Sequence, residues 1–317
     1  MRIACLLLLM ITLIFCGCKN SNPSSLQKWK ALFDYPSGSG IAYFDKKIYL
    51  MGDDAPYLLI MDTAFNKMDT IQFLHSTEKR IPKNIKSDPE AIAVVTIDTA
   101  QALLIMGSGS LGPERSICWL INTATKEKTI IKLDTFYDRL KARGIKDLNI
   151  EGAAEIPGGI VLASRGNKSY PKNHLIFTSR KFWLNQTNAN INIIKMGPNN
   201  DTAVFTGVSG LEYSKLTDKL LLTISTEETY NSQSDGIIGK SYIWLINDIS
   251  SKMNYAGINP DQVIDLEDID PKFNKQKIES VCIISEDKQA VQLALVADDD
   301  KGGSILFTIQ LVGSKKD

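Results

Sequence analysis

An all-β fold, a single β-propeller of five blades, is predicted by three features of this 317-residue chain. A short phrase recurs five times: Ser39-Gly40-Ile41-Ala42, Glu90-Ala91-Ile92-Ala93, Glu151-Gly152-Ala153-Ala154, Ser209-Gly210-Leu211-Glu212 and Glu279-Ser280-Val281-Cys282. Each copy is a Glu or Ser, a small residue and an apolar strand, followed by a turn, a second apolar strand and a polar cluster. The copies stand 51 to 70 residues apart, a period that suits a propeller or array better than an ordinary α/β domain. The fifth unit is one strand short, and one strand without a unit precedes the first. The simplest closure lets the N-terminal strand complete the last blade, which leaves few free sheet edges. Six blades stay open as an alternative, because the fourth interval is long and holds Asn259-Pro260 and Asp270-Pro271.

Apolar runs rich in β-branched residues, bounded by Gly, Asp, Asn and Pro, mark the strands. The unpaired N-terminal strand is Gln27–Phe33. Unit one is expected to use Gly40–Phe44, Lys47–Met51, Tyr57–Asp62 and Asp69–Leu74. Unit two uses Ala91–Ile97, Ala102–Met106, Ile117–Asn122 and Thr129–Leu133. Unit three uses Gly152–Ile156, Gly159–Ala163, His174–Thr178 and Ile191–Lys195. Unit four uses Leu211–Ser214, Lys219–Ile224, Ser241–Ile246 and a weaker run at Gln262–Leu266. Unit five has Ser280–Ile284, Val291–Val296 and Ser304–Leu311. Thr135–Arg143, closed by Gly144, reads as one short helix between units two and three. Asp261–Asp268 offers at most another helical turn.

Lys plus Arg equals Asp plus Glu at 36 each, so the chain lacks the basic footprint of a nucleic-acid binder. The N-terminus reads as a targeting segment: Arg2, then an apolar stretch from Ala4 to Phe15, too short to span a membrane comfortably. Phe15-Cys16-Gly17-Cys18 and the polar run Lys19 to Gln27 follow. This resembles a bacterial lipoprotein signal with Cys18 as the lipidated residue, because small Gly17 precedes it. The expected organisation is therefore a signal segment at 1–18, a polar tether at 19–25 and the propeller at 26–317. Lipidation would anchor the mature chain to a membrane without spanning it. No acidic cluster follows the cysteine, which favours the periplasmic side of the cell envelope; the anchored protein is expected to be a monomer.

Cys5, Cys16 and Cys18 fall in that segment. Cys118 and Cys282 belong to different blades, too far apart to bridge, and are expected to be buried free thiols. With only His75 and His174, a multi-His metal site is excluded. Both histidines are expected to be structural, and Trp29, Trp119, Trp183 and Trp244 to be packing residues.

In a four-stranded blade, the start of the inner strand and the end of the second meet at one mouth of the central channel. Two sets of residues should merge there. The heads are Ser39, Glu90, Glu151, Ser209 and Glu279. The residues following each second strand are Asp53-Asp54, Ser108-Gly109-Ser110, Ser164-Arg165, Thr226-Glu227-Glu228 and Asp298-Asp299-Asp300. The ligand-binding rim is thus expected to comprise Ser39, Asp53, Asp54, Glu90, Glu151, Arg165, Ser209, Glu227, Glu279 and Asp298, with Arg165 as its clear cation. Clustered carboxylates repel unless protonated, paired or bound to a cation. Glu90, Glu151 and Glu279 form the expected metal set, and Ca²⁺ suits such oxygen donors. Ordinary turn chemistry competes with this reading for any single residue.

The string Leu148-Asn149-Ile150-Glu151-Gly152-Ala153-Ala154, continued by Gly159 to Asn167, resembles the phytase-like or esterase-like β-propeller families. Asp88-Pro89-Glu90-Ala91 and Ser37-Gly38-Ser39-Gly40 carry related copies. The whole mature chain is similar to lipoproteins of that group in Bacteroidota. The resemblance implies calcium-dependent hydrolysis of phosphate monoesters, with Glu90, Glu151 and Glu279 on calcium or rim and Arg165 on phosphate. Ser39 and Ser209 stand where such families repeat Glu. Three functions stay open at this point: binding of a small ligand or envelope partner at the mouth, a calcium-dependent phosphoester or ester hydrolase, and a scaffold whose metal only stabilises the ring.

Overall fold

The computed structural model describes residues 24–312 apart from 75, 77, 84, 199–204, 228–237 and 300–301. The signal segment and most of the tether lie outside the described residues, as does His75. No helix among the described residues is long and apolar enough to cross a membrane.

Five blades, antiparallel apart from one short added strand, form a ring, and the described residues hold no sixth. The chain opens with β1 (Ser25–Leu32). Blade 1 is β2 (Gly38–Phe44), β3 (Lys47–Gly52), β4 (Tyr57–Met61) and β5 (Lys67–Gln72). Blade 2 is β6 (Pro89–Ile97), β7 (Ala100–Gly107), β8 (Ile117–Asn122) and β9 (Lys128–Lys132). Helix α1 (Asp134–Ala142) leads to blade 3: β10 (Ile150–Ile156), β11 (Gly159–Ser164), β12 (Asn173–Thr178) and β13 (Ile191–Met196). Blade 4 is β14 (Thr206–Ser214), β15 (Lys219–Glu227) and β16 (Ile238–Ile246). After the two-residue β17 (Gly257–Ile258), it is completed by β18 (Gln262–Asp265). A single turn, α2 (Leu266–Ile269), precedes blade 5: β19 (Lys277–Glu286), β20 (Ala290–Asp298) and β21 (Ser304–Val312).

Strand β1 pairs antiparallel with β21 and supplies the fourth strand of blade 5, as the strand count required. The long fourth interval is spent on β17, which adds parallel to β13 as a fifth strand of blade 3, and on α2. The inner strands β2, β6, β10, β14 and β19 are neighbours in cyclic order, with β19 returning to β2.

Period-two alternation along the strands sends apolar side chains to both blade faces, and the core is therefore five sheet-on-sheet clusters, one at each blade interface. Between blades 2 and 3 the gap is filled by α1, through Phe136, Tyr137 and Leu140. Cys118 and Cys282 are buried free thiols in different blades. Trp119, Trp183 and Trp244 are packed, whereas Trp29 is 48% exposed and carries Lys272 over its ring at 4.4 Å. Its expected burial fails because β1 is the outermost strand of its blade, with only one neighbour.

The small residue after each head has a steric reason. A Cβ on Gly210 would sit 2.7 Å from Ser280 Cα and 2.8 Å from Glu279 O of the next inner strand. On Gly152 it would sit 2.6 Å from Leu211 Cβ. The five inner strands crowd around the axis, and these glycines let adjacent backbones approach.

Candidate binding site at the channel mouth

All five heads occupy the same structural irregularity. The ladder between first and second strand slips across Ser39, Glu90, Glu151, Ser209 and Glu279, each the extra residue of a β-bulge. A bulge re-aims one side chain out of the pleat. The residues facing each bulge lie in the C-terminal part of the second strand: Gly52, Gly107, Ser164, Ile224 and Ala297, the last followed directly by Asp298. The two sets anticipated from the repeat thus meet at one end of the ring. Further backbone bonds lock the junction, including Asp53 N–H to Ser37 O at 3.0 Å, Ser108 N–H to Asp88 O at 2.9 Å and Arg165 N–H to Asn149 O at 2.8 Å.

The heads divide by chemistry. Ser39 Oγ donates to Pro89 O at 2.9 Å, and Ser209 Oγ donates to Ile278 O at 2.6 Å. Each serine therefore ties its blade to the residue preceding the next blade's glutamate. The three glutamates supply the titratable groups. Glu151 is buried and accepts from Asn149 Nδ2 at 2.6 Å; Glu279 is buried and pairs with Lys277 at 3.0 Å; Glu90 is half-buried.

The tight acidic cluster among the described residues is Asp53, Asp88 and Glu90, with one oxygen of each within 4.8 Å of the others. Glu151 and Glu279, expected to share a metal with Glu90, are not in it. The bulge positions are spread around the ring, while Asp53 and Asp88 approach Glu90 from the adjoining loops. Lys86 Nζ pairs with Asp53 and with Asp88, the latter at 2.9 Å, and Arg115 also pairs with Asp88. Asp53 Oδ1 is buried and accepts no hydrogen bond.

Arg165, the clear cation among the expected rim residues, is not alone at the mouth. Lys86, Arg115, Lys277 and Arg80 join it, Arg80 holding Asp54 at 2.7 Å. Arg165 lies buried, with Nη1 donating to Ser225 Oγ at 3.1 Å and Val208 O at 3.3 Å. Its guanidinium rests on Gly207, where a Cβ would meet Cζ at 2.7 Å. Asp298, half-buried at the end of β20, stands opposite Lys277 in the ladder, while Asp299 accepts from Gly303 N–H at 2.7 Å in a plain turn. Glu227 ends β15, and its side chain lies outside the described residues, as do Glu228 and Asp300.

Sequence reasoning missed Asp88, Asn149 and Lys277 as participants. The available signal was position: each stands two residues before a head, as Ser37 and Gly207 do. Ser37 and Asp88 both adopt left-handed backbone, with φ of 45° and 52°, where the chain turns sharply into the inner strand.

Burial pushes the Glu151 carboxyl up to about 8; Glu279 and Asp88 add to the shift, and Arg165 and Lys277 oppose it. Burial likewise holds Glu90 well above the usual range, reinforced by Asp88, Glu151 and Asp53 and opposed by Lys86. Asp53 is raised by the same desolvation. Burial works against the Lys86 ammonium, but Asp53, Asp88 and Glu90 outweigh it and raise its pKa. His174, on β12, is buried and stacked on Tyr170, and burial with nearby Lys172 and Lys195 lowers it to about 4. It is a neutral ring outside the mouth's charge network.

The chain belongs to a family of unknown function, DUF6929, whose model matches residues 34–311. No functionally curated protein sequence matches it. Similar solved structures include the glutaminyl cyclase of Myxococcus xanthus, at 8% identity and TM-score 0.50 over 92% of this chain and 97% of that one. Virginiamycin B lyase from Staphylococcus aureus is 9% identical over 91% and 99% of the two chains, with TM-score 0.37. A DUF4623 family protein from Bacteroides eggerthii is 10% identical over 92% and 77%, with TM-score 0.39. At these identities the likeness concerns the fold, and function has to be argued from the mouth.

Proposed function

We propose that this chain is a lipid-anchored binding propeller of the bacterial cell envelope, held on the periplasmic side through Cys18, which receives a small ligand or partner group at the channel mouth. The observation that supports binding is the geometry of the acids there: Asp53, Asp88 and Glu90 bring one oxygen each within 4.8 Å of the others. Burial first, and neighbouring acids second, make Glu90 and Glu151 resist ionisation, although Lys86 and Arg165 oppose the shift. A mouth in that condition gains from additional positive charge, delivered by a cationic group of a ligand or by a metal ion.

The donor chemistry fits a hard cation. Asp53, Asp88 and Glu90 would hold Ca²⁺, and the unpartnered Asp53 Oδ1 offers a free oxygen. Such an ion would neutralise the cluster and orient an anionic group. It would also have to displace Lys86, whose ammonium already pairs with two of the three acids.

One observation favours a second reading, a calcium-dependent phosphoester or ester hydrolase of the phytase-like kind. A buried carboxyl titrating near 8 is a proton donor at neutral pH, and Glu151 has Arg165 close by as an anion partner. Binding is preferred because Arg165 Nη1 is already engaged by Val208 O and Ser225 Oγ.

Thermal unfolding of the mature domain in EDTA and in added Ca²⁺ tests the cation, since a ligand that binds only the folded form raises the midpoint. A phosphoester and carboxyl-ester screen with Glu151→Gln as control then separates the readings. Turnover that vanishes in the variant would establish the hydrolase. A midpoint indifferent to Ca²⁺ and to small organic cations would end the binding proposal as framed.

A further inference from the structure

A second concavity lies at the end of the ring opposite the mouth and encloses about 280 Å³. Strand β10 starts at its bulge in the mouth and runs away from it, so the β10–β11 hairpin reaches this far end. The connections β12–β13 and β16–β17 meet the hairpin there, and the three segments line the cavity together. Its floor is Ile156 and Phe177, buried in the core between blades 3 and 4, with Met253 packed against the same core. Asn192 stands opposite Phe177 in the β12–β13 ladder and so shares that face of the sheet. Gly158 turns the hairpin with φ of 93° and puts no side chain into the space, where a Cβ would face Met253 Cε at 4.0 Å.

Among the described residues, no charged side chain lines this cavity. Arg180, which follows Ser179, is spent on Glu155 at 2.7 Å. The polar groups are hydroxyls and amides. Thr178 Oγ1 donates to Asn190 O at 2.6 Å and Ser179 Oγ accepts from Asn190 N–H at 3.1 Å, so both hydroxyls hold the Asn190 backbone. Asn192 Nδ2 donates to Met253 O and to Asn254 Oδ1, the latter at 3.4 Å, which ties the blade 4 connection to blade 3. The Asn190 amide, Asn192 Oδ1 and Asn254 Nδ2 are engaged by none of the described residues, and Asn190 and Asn254 are exposed.

This donor set selects its ligand by elimination. An ion would enter a pocket that holds no counter-charge, and burying an unpaired charge is costly. A hydrocarbon would strip water from the amides and return no hydrogen bond. A primary amide offers a carbonyl acceptor and N–H donors, and a hydroxyl, donor and acceptor at once, answers both. A molecule with several hydroxyls around a ring of C–H faces satisfies the amides and the floor together. The volume is at the small end of ligand sites, with room for one ring rather than a chain.

We propose that the cavity between blades 3 and 4 binds an uncharged sugar ring, as a free hexopyranose or as the end of a glycan. Its hydroxyls meet the amides of Asn190, Asn192 and Asn254, and its C–H face lies against Met253 and Phe177.

The test is NMR titration of the isotope-labelled mature protein with glucose, galactose, mannose and N-acetylglucosamine, and with glucuronate and glucosamine as charged counterparts. Asn190→Ala and Asn254→Ala each remove one side-chain amide signal and so assign the two. At least one neutral sugar should shift both signals saturably, and neither charged sugar should. Either substitution should weaken binding about three- to tenfold, the worth of one hydrogen bond. Met253→Trp should abolish binding by filling the space, and Glu151→Gln should leave it unchanged, which separates the cavity from the mouth. Tighter binding of a disaccharide than of its own terminal sugar marks a glycan end as the source, and weaker binding a free sugar. No shift with any neutral sugar, equal shifts with the charged ones, or binding indifferent to both asparagine substitutions would overturn the proposal. So would tighter binding of acetyl-alanine amide, a neutral peptide whose groups also donate and accept.

Discussion

Lys86 Nζ lies 2.9 Å from Asp88 Oδ1 and also pairs with Asp53, so one ammonium bridges carboxylates from two neighbouring blades. The Lys86 and Asp88 side chains are 11% and 7% exposed, and removing one partner strands the other's charge. Breaking such a buried pair costs about 3–5 kcal/mol. Lys86→Met should therefore lower the unfolding midpoint in EDTA. Added Ca²⁺ should recover more of that loss than it adds to the unaltered protein, because the variant has no internal competitor. Calorimetric unfolding of both proteins decides it; equal midpoints without a cation would show that Lys86 is not the counter-ion inferred above.

The raised glutamates give stability a definite pH dependence. Glu151 keeps its proton in the fold up to about 8, whereas an unfolded chain releases it near the ordinary value of 4.5. Between those values the folded state binds more protons, so stability falls as pH rises, by at most about 1.4 kcal/mol per pH unit for one group. Glu212, on β14, is pushed up to about 7 by burial and acts in the same direction over a narrower window. Urea midpoints should decline from pH 5 to pH 8. Glu151→Gln should flatten the decline up to pH 8, and Glu212→Gln only below about 7. A midpoint that climbs across this range would contradict the buried, protonated state.

The architecture was legible because it rests on a repeat. Five heads, five small residues and one missing strand force a closed ring, and β1 takes the place the count left vacant. The merging of head and second-strand residues was legible too, since blade geometry alone dictates it. The ion pairing was not. Lys86 and Arg80 belong to the long connection between blades 1 and 2, and Arg115 to the turn after β7. Such segments carry no periodic signal, so their reach toward Asp88 and Asp54 appears only once the ring is closed. The mixture of Ser and Glu at the heads also has a meaning hidden from spacing. The serines bond across a blade boundary, while the glutamates supply the titratable groups of the mouth.

That division predicts opposite behaviour for two head substitutions. Ser209→Ala removes the bond to Ile278 O and leaves a carbonyl without its buried donor, a loss of about 1–3 kcal/mol. Glu279→Gln keeps the shape and trades a charge for an amide beside Lys277. Denaturant titrations should show the first variant destabilised at every pH, with an unchanged slope. The second should be destabilised where the ion pair with Lys277 is intact, and least in acid, where carboxylates are protonated and the pair is lost. If both variants track each other across pH, the serine and glutamate heads do not have separate roles.

The ring's closure makes the final prediction. Ser304 Oγ donates to Tyr35 O at 2.9 Å and accepts from Gly38 N–H at 2.9 Å, tying blade 5 to the segment that leaves β1. Tyr35 carries that tie inward, its buried hydroxyl lying 2.9 Å from both Leu50 O and Tyr57 O, with its one hydrogen shared between these two acceptors. Without residues 24–33 the strand β21 becomes an edge, and an unpaired edge invites association. A chain beginning at Asp34 should therefore unfold at a lower temperature and elute as larger species on size exclusion. A synthetic peptide of residues 24–33 should restore both the midpoint and the monomer, since the β21 edge, including the Phe307 partner of Trp29, would be paired again. A truncated ring that stays monomeric at the original midpoint would mean that blade 5 holds with three strands and that β1 is not what closes the propeller.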